Sequence, residues 1–363
     1  MLQIANKNLR LAIVLVLFAS VAIAAVWQNQ RMKVRAQQAN QEKMAAVDDL
    51  RGRLAAQRRG LRDYMNVTQR QVPDAVAAPS PSPDFTLGIA GDVFVAGDFD
   101  GDGKTDAAVW SNGTGAFTIR QSSTSMNTSI TLGQSGDDPT VIGNYDSDTS
   151  VDAAVYRRGA MQGDYSSWIY HPSAGGPDVT VTCSATLDCG KNGDFPAPGD
   201  YDGDGKFDFM VQRKHAGAIC PSDPIQGTII PNADFLLSIN GGAGTTVIPC
   251  VGTDTDVIVP GDYDGDGKTD IATIRSSAGE FRWTIRKSST NTLVVIMFGL
   301  PDTDFPVQGD YDGDGKTDVG VWRPNANPDD LGTFRTHSVV SGLESTFNWG
   351  KNKDYPVANF NVH

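Results

Sequence analysis

The chain has 363 residues, 39% of them hydrophobic, enough to bury a sizeable core, and a formal net charge of −13. The charge is segregated: residues 1–72 hold 12 Lys+Arg against 4 Asp+Glu, net +8, which leaves −21 for the remainder. That acidic remainder excludes a nucleic-acid binder, whose phosphate contacts need a basic surface, and the four cysteines form no Cys-x-x-Cys that would suggest zinc or thiol-redox chemistry.

In chain order, residues 11–27 are a 17-residue uncharged run preceded by Lys7 and Arg10. Its length is at the short limit for a membrane span. It also has the layout of a signal peptide, with Ala22-x-Ala24 as the cleavage site. Arg31, Lys33 and Arg35 follow at once and favour a retained anchor; either reading exports the rest of the chain. Residues 28–72 are rich in Gln, Ala, Arg and Leu, and the first proline after them is Pro73, which predicts a solvated helical stalk. Residues 73–84, with Pro-Ser-Pro-Ser-Pro, read as an extended linker.

From residue 85 onward one acidic loop returns five times. Its carboxylates stand at offsets 0, 2, 4 and 8: Asp98, Asp100, Asp102, Asp106; Asp200, Asp202, Asp204, Asp208; Asp262, Asp264, Asp266, Asp270; and Asp310, Asp312, Asp314, Asp318. The second copy, Asn144, Asp146, Asp148 and Asp152, keeps the spacing but has Ser147 and Thr149 in place of glycines, so its site is expected to be the weakest. Four like charges in nine residues repel unless a cation collects them. The donors are the hard oxygens that Ca²⁺ prefers. The residue at offset 6 (Lys104, Lys206, Lys268, Lys316) can add a backbone carbonyl, and Gly103 at offset 5 permits the positive φ that folds the loop back on the ion. An EF-hand is excluded, because it needs flanking helices and a Glu at loop position 12. Here each loop opens a strand, as in Asp-Ala-Ala-Val-Trp at 106–110. Of the 43 acidic residues three are Glu, and a cramped coordination loop, unlike general solubility, selects the shorter Asp.

Spacings of 46, 56, 62 and 48 residues between successive loops, with four strand candidates per unit, indicate a β-propeller or similar array. In the last unit the candidates are 305–308, 319–323, 333–339 and 345–349, followed by a further inner-strand segment at 355–358. The start at Phe85-Thr-Leu-Gly88 matches Phe347-Asn-Trp-Gly350, so five overlapping blades or six with one incomplete both fit.

The Gly-Asp-Tyr-Asp-Gly-Asp-Gly-Lys-Thr-Asp runs, followed by Val-Trp-Arg-Pro, resemble FG-GAP/VCBS repeats, the units of the integrin α-subunit N-terminal propeller and of many bacterial surface proteins. The resemblance covers residues 85–363. It implies an all-β propeller of four-stranded blades with calcium in the loop between the first and second strands, and a ligand face at the opposite end. That end would carry loops 111–115, 157–164 and 324–331 and the Gly-x-x-x-Asp turns.

Cys183, Cys189, Cys220 and Cys250 allow three pairings. The shortest separations favour Cys183–Cys189 and Cys220–Cys250, as staples of the enlarged third unit in an oxidising compartment. The histidines (His171, His215, His337, His363) are scattered, and no nucleophile elbow, His-Glu-x-x-His or phosphate loop occurs, so the sequence offers no catalytic constellation. Trp110, Trp168, Trp283, Trp322 and Trp349 are either blade-core residues or sugar platforms, with the core the commoner use. The leading expectation is an exported, membrane-tethered, calcium-stabilised module that binds an extracellular protein or glycan. A structural scaffold of an envelope assembly and a polysaccharide-degrading enzyme on the same repeat are the alternatives.

Overall fold

The structure is a computed structural model that describes residues 87–88, 92–146, 148–217, 220, 231–327 and 330–351. The expected signal or anchor segment, the helical stalk and the linker lie outside the described residues, as does the 355–358 strand. No helix among the described residues is long and apolar enough to cross a membrane.

The described residues form five antiparallel blades in a propeller ring. Blade 1 has strands β1 (Val93–Gly97), β2 (Asp106–Ser111), β3 (Ala116–Arg120) and β4 (Asn127–Thr131), hydrogen-bonded in that order. Blade 2 has β5 (Ala153–Arg157), β6 (Ser167–His171) and β7 (Val179–Thr182), and a bridge between Asp138 and Tyr156 stands where its inner strand would run. Blade 3 comprises β8 (Phe195–Pro196), β9 (Phe209–Lys214), β10 (Ala233–Ser238) and β11 (Thr246–Ile248). Blade 4 comprises β12 (Val257–Ile258), β13 (Ile271–Ser277), β14 (Glu280–Arg286) and β15 (Leu293–Met297). Blade 5 comprises β16 (Phe305–Pro306), β17 (Val319–Arg323), β18 (Leu331–His337) and β19 (Glu344–Lys351). Of the two counts the sequence allows, the described residues give five.

The core lies between blades. Trp110, Phe117 and Leu132 of blade 1 pack with Ala153 and Val155 of blade 2. Tyr145 and Trp168 of blade 2 pack with Phe209 and Val211 of blade 3. Tyr263, Trp283 and Phe298 of blade 4 pack with Val319 and Val321 of blade 5. One side of the second strand in blades 2 to 4 therefore closes on the blade before, and the other on the blade after. This is why these second strands are buried in nearly every position, as in Ala153–Arg157, where the first four residues are buried.

Four tryptophans, Trp110, Trp168, Trp283 and Trp322, are among the largest fully buried side chains and are not sugar platforms. Each indole N–H donates to a backbone carbonyl just before a turn glycine: Leu132, Cys189, Phe298 and Trp349, at 2.9–3.0 Å. A buried indole needs such a partner. Trp349 itself is exposed.

The disulfides are Cys183–Cys189 and Cys220–Cys250, as the short separations suggest. The second joins residues 30 apart and staples the long β9–β10 connection, a constraint of about 3–4 kcal/mol in the chain-entropy picture.

Candidate metal centres and the two ends of the blades

Each acidic loop joins the first and second strands of its blade or, in blade 2, precedes the second. The loop closes on its first carboxylate. Asp98 accepts from the N–H of Gly101 (2.7 Å) on Oδ1 and of Gly103 (2.8 Å) on Oδ2. Asp200, Asp262 and Asp310 accept from the corresponding glycine pairs at 2.6–2.9 Å. Gly101 and Gly103 have φ of +73° and +81°, a backbone that an L side chain resists, which is why the glycines recur in the four regular copies.

The last carboxylate, at offset 8, is buried and pinned from two sides. Asp270 accepts from Tyr263 N–H (2.9 Å) on one oxygen and from Ser288 N–H (2.6 Å), in the hairpin between β14 and β15, on the other. Asp106, Asp152 and Asp208 repeat this with Ser122, Ser173 and Asn240. Burial pushes these acids up, Asp208 to about 6 and Asp270 to about 7, with the loop's own carboxylates adding to the rise. The carboxyls of Asp106, Asp152 and Asp318 move the same way for the same first reason.

Within each regular loop three carboxylates converge: Asp98, Asp100 and Asp106; Asp200, Asp202 and Asp208; Asp262, Asp264 and Asp270; Asp310, Asp312 and Asp318. In each set one oxygen per residue lies within 4.8 Å of the others. The offset-4 acids, expected as further ligands, are not in these sets. Asp102, Asp204, Asp266 and Asp314 accept the N–H of Lys104, Lys206, Lys268 and Lys316 on Oδ1 at 2.8–3.0 Å. Ser122 and Ser288 also donate hydroxyls to Asp102 and Asp266. In blade 2 the Asn144 amide donates to the Asp148 carbonyl, so a neutral side chain closes that loop.

The donor set fits a hard divalent cation. Three converging carboxylates repel at separations of this size, and burial raises the offset-8 acid further. Asp264 Oδ1 is buried and has no hydrogen-bond partner among the described residues. A cation would satisfy that oxygen and remove the repulsion; a backbone N–H could do neither for all three acids at once.

The opposite end carries a second repeated device that the sequence reading did not anticipate. The Gly-x-x-x-Asp turns place Asp137, Asp194 and Asp256 under the N–H of Gln134, Lys191 and Thr253 at 2.7–3.0 Å, and a one-residue-longer turn does the same for Asp304 with Leu300. An arginine five residues past the loop, in the second strand, pairs with each: Arg157 with Asp137 (2.8 Å), Arg213 with Asp194 (2.6 Å), Arg275 with Asp256 (3.6 Å) and Arg323 with Asp304 (2.6 Å). Burial works to raise Asp304, but the Arg323 guanidinium outweighs it and holds the acid below its usual range. Arg213 also bonds Asp188 through Nη1 and Nη2, at 2.6 and 2.7 Å. The available signal was a fixed offset: each arginine stands five residues after the last loop aspartate, where blade 1 has Ser111.

No family model and no curated protein matches the chain. Among solved structures it is similar to an exotype rhamnogalacturonan lyase, YesX, at 10% identity and a TM-score of 0.31. The match covers 72% of this chain and 58% of that one, so the chain spans a little over half the length of that neighbour.

Proposed function

We propose that the chain is a calcium-stabilised propeller displayed outside the cell, which binds a protein or glycan ligand through the loops opposite its acidic hairpins. The supporting observation is the contrast between the two ends of the blades. The acidic end repeats one loop geometry four times almost unchanged. The connections between second and third strands at the other end vary in length: four residues after β2, nine after β5, eighteen after β9, two after β13 and seven after β17. A constant end serves the scaffold, and loops that vary on a rigid scaffold are where recognition resides.

The FG-GAP/VCBS resemblance supports the same division, with metal at one end and ligand at the other. Ca²⁺ is held by the four carboxylate triads, with a weaker fifth site in Asn144, Asp146, Asp148 and Asp152. Extracellular calcium modules of ordinary affinity, Kd about 10⁻⁴–10⁻³ M, suit a compartment in which two disulfides also form. Residues 11–27 supply the membrane tether in this reading.

The test is a screen of the full chain against glycan and protein arrays in millimolar calcium. A variant with residues 158–166 replaced by the two-residue turn found after β13 runs beside it. Binding lost or altered in that variant, with an unchanged melting temperature, supports the assignment. Release of new polysaccharide ends by the intact chain would replace it with an enzymatic function.

A further inference from the structure

Trp349 stands where Leu132, Cys189, Val251 and Phe298 stand in the other blades, just before the glycine that turns the chain toward the next blade. Those four are at most 4% exposed, whereas Trp349 is 65% exposed. Its neighbour Phe347, 43% exposed, stacks on Phe334 with ring centroids 4.8 Å apart and lies 6.1 Å from Tyr311. Tyr311 is itself 37% exposed, against 2% and 0% for Tyr145 and Tyr263 at the same loop position. This is the side of a blade that the following blade covers: Leu132 packs with Val155, and Phe298 with Val321.

Blade 1 would have to offer Val109 for the same purpose, and Val109 is already covered. A Cβ on Gly88 would lie 3.0 Å from Val109 and 2.9 Å from Asp92, just as one on Gly133 would lie 3.2 Å from both Val155 and Asp137. Leu87, only 7% exposed, thus takes the place against blade 1 that Trp349 would need. Four junctions are also tied by a backbone bond between successive acidic loops, and among the described residues no such bond joins Thr105 to Asp310.

Strand β19 ends at Lys351, two residues after Trp349. Gly350 has φ +70°, in the left-handed region used by Gly133, Gly252 and Gly299. Asp354 follows four residues later, as Asp137 follows Gly133. Tyr355-Pro356-Val357 then repeats Phe305-Pro306-Val307 and Phe195-Pro196-Ala197, whose first two residues are the inner strands β16 and β8. The twelve residues 352–363 reach up to about 40 Å when extended, far more than one blade face requires, and they carry Tyr355, Val357, Phe360 and Val362. Exposed aromatics in contact with one another form a contiguous apolar patch of the kind that marks an interface.

We propose that residues 352–363 seat on the open face of blade 5 and cover Phe347 and Trp349, taking the place that the next blade takes at every other junction. The test uses the full chain, the chain shortened after Lys351, and the full chain carrying Val357→Asp. Acrylamide quenching of Trp349, taken as the difference between each protein and its Trp349→Phe counterpart, is measured beside hydrogen exchange of the β19 amides. In the full chain Trp349 is shielded, and both changes raise its quenching and speed β19 exchange at least several-fold while β13 and β14 stay protected. Equal quenching and exchange in the full chain and in Val357→Asp overturns the proposal. So does a Trp349 that stays shielded in the shortened chain together with a doubled sedimentation mass, which assigns the face to a second copy.

Discussion

The backbone N–H of Thr269 donates to the carbonyl of Asp200 at 2.6 Å, across the boundary between blades 4 and 3. Asp200 is the first residue of one acidic loop and Thr269 the penultimate residue of the next. The same bond joins Val151 to Asp98, Phe207 to Asn144 and Thr317 to Asp262, each at 2.6 Å. Lys268 adds a second tie, its Nζ donating to the Asp202 carbonyl at 2.8 Å. In the regular loops the first residue therefore offers its carboxylate to a candidate ligand set and its backbone carbonyl to the clasp between blades, so loop geometry and blade docking are coupled.

With calcium in the triads as proposed, its removal is expected to weaken the junctions as well as the loops. At free calcium ten times Kd, each site contributes about 1.4 kcal/mol. Four or five sites together are comparable with the ~5–15 kcal/mol stability of a typical domain. Chelator is expected to lower the melting temperature by tens of degrees, read by circular dichroism or calorimetry. A melting curve indifferent to chelator would remove the structural metal.

Asp264→Ala tests one site against another. In saturating calcium it is expected to cost about 1.4 kcal/mol or more, and Asp146→Ala, in the loop closed by the Asn144 amide, to cost less. In chelator Asp264→Ala is expected to fall within about 0.5 kcal/mol of the parent, because a buried carboxylate oxygen without a partner is lost along with the charge. Thermal denaturation of both variants in calcium and in chelator decides this, and equal costs for Asp264→Ala in the two conditions count against a bound ion.

The pH dependence should weaken when calcium is present. In the folded, metal-free chain Asp208 and Asp270 are pushed up to about 6 and about 7, above the unfolded aspartate range near 4. Between those values the folded state holds more protons than the unfolded one, so stability falls as pH rises from about 4 through 7. Calcium needs the deprotonated acids, so its stabilising effect grows across the same window. Melting temperatures from pH 5 to 8 are expected to fall in chelator, while the difference between calcium and chelator widens. Parallel curves would show that these acids do not sense the ion.

At the opposite end, Arg213→Ala is expected to destabilise by about 1.5–3 kcal/mol, since Asp194 is buried and loses charge-assisted bonds. Arg213→Lys should recover only part of that, because an ammonium cannot span Asp188 and Asp194 with the planar fork. Urea denaturation at pH 7 measures both, and full rescue by lysine would reduce the site to simple charge.

Tyr263→Phe removes a hydroxyl that donates to Val259 O at 2.7 Å. Blade 1 carries Phe99 at this position, so the ring alone is compatible with the fold. The expected loss is about 0.5–1.5 kcal/mol by denaturant titration. A loss beyond about 3 kcal/mol would mean that the bond holds the inner strand in place.

The acidic loops, their glycines, the strand that follows each, the disulfide pairs and the all-β architecture were legible from the chain itself. They depend on contacts within a few residues and on a motif repeated often enough to cancel chance. The fold alone decided which three of the four loop carboxylates converge most closely, since the placement of the offset-4 acid is set by three-dimensional backbone geometry. It decided that four tryptophans are core, because burial depends on the neighbouring blade. It assembled the arginine–aspartate pairs, whose partners lie about twenty residues apart, as Arg157 and Asp137 do. It also left Trp349 bare. Which face lacks a neighbour depends on where Leu87 has already settled, and that is a property of how the strands meet around the ring, not of any short stretch of residues.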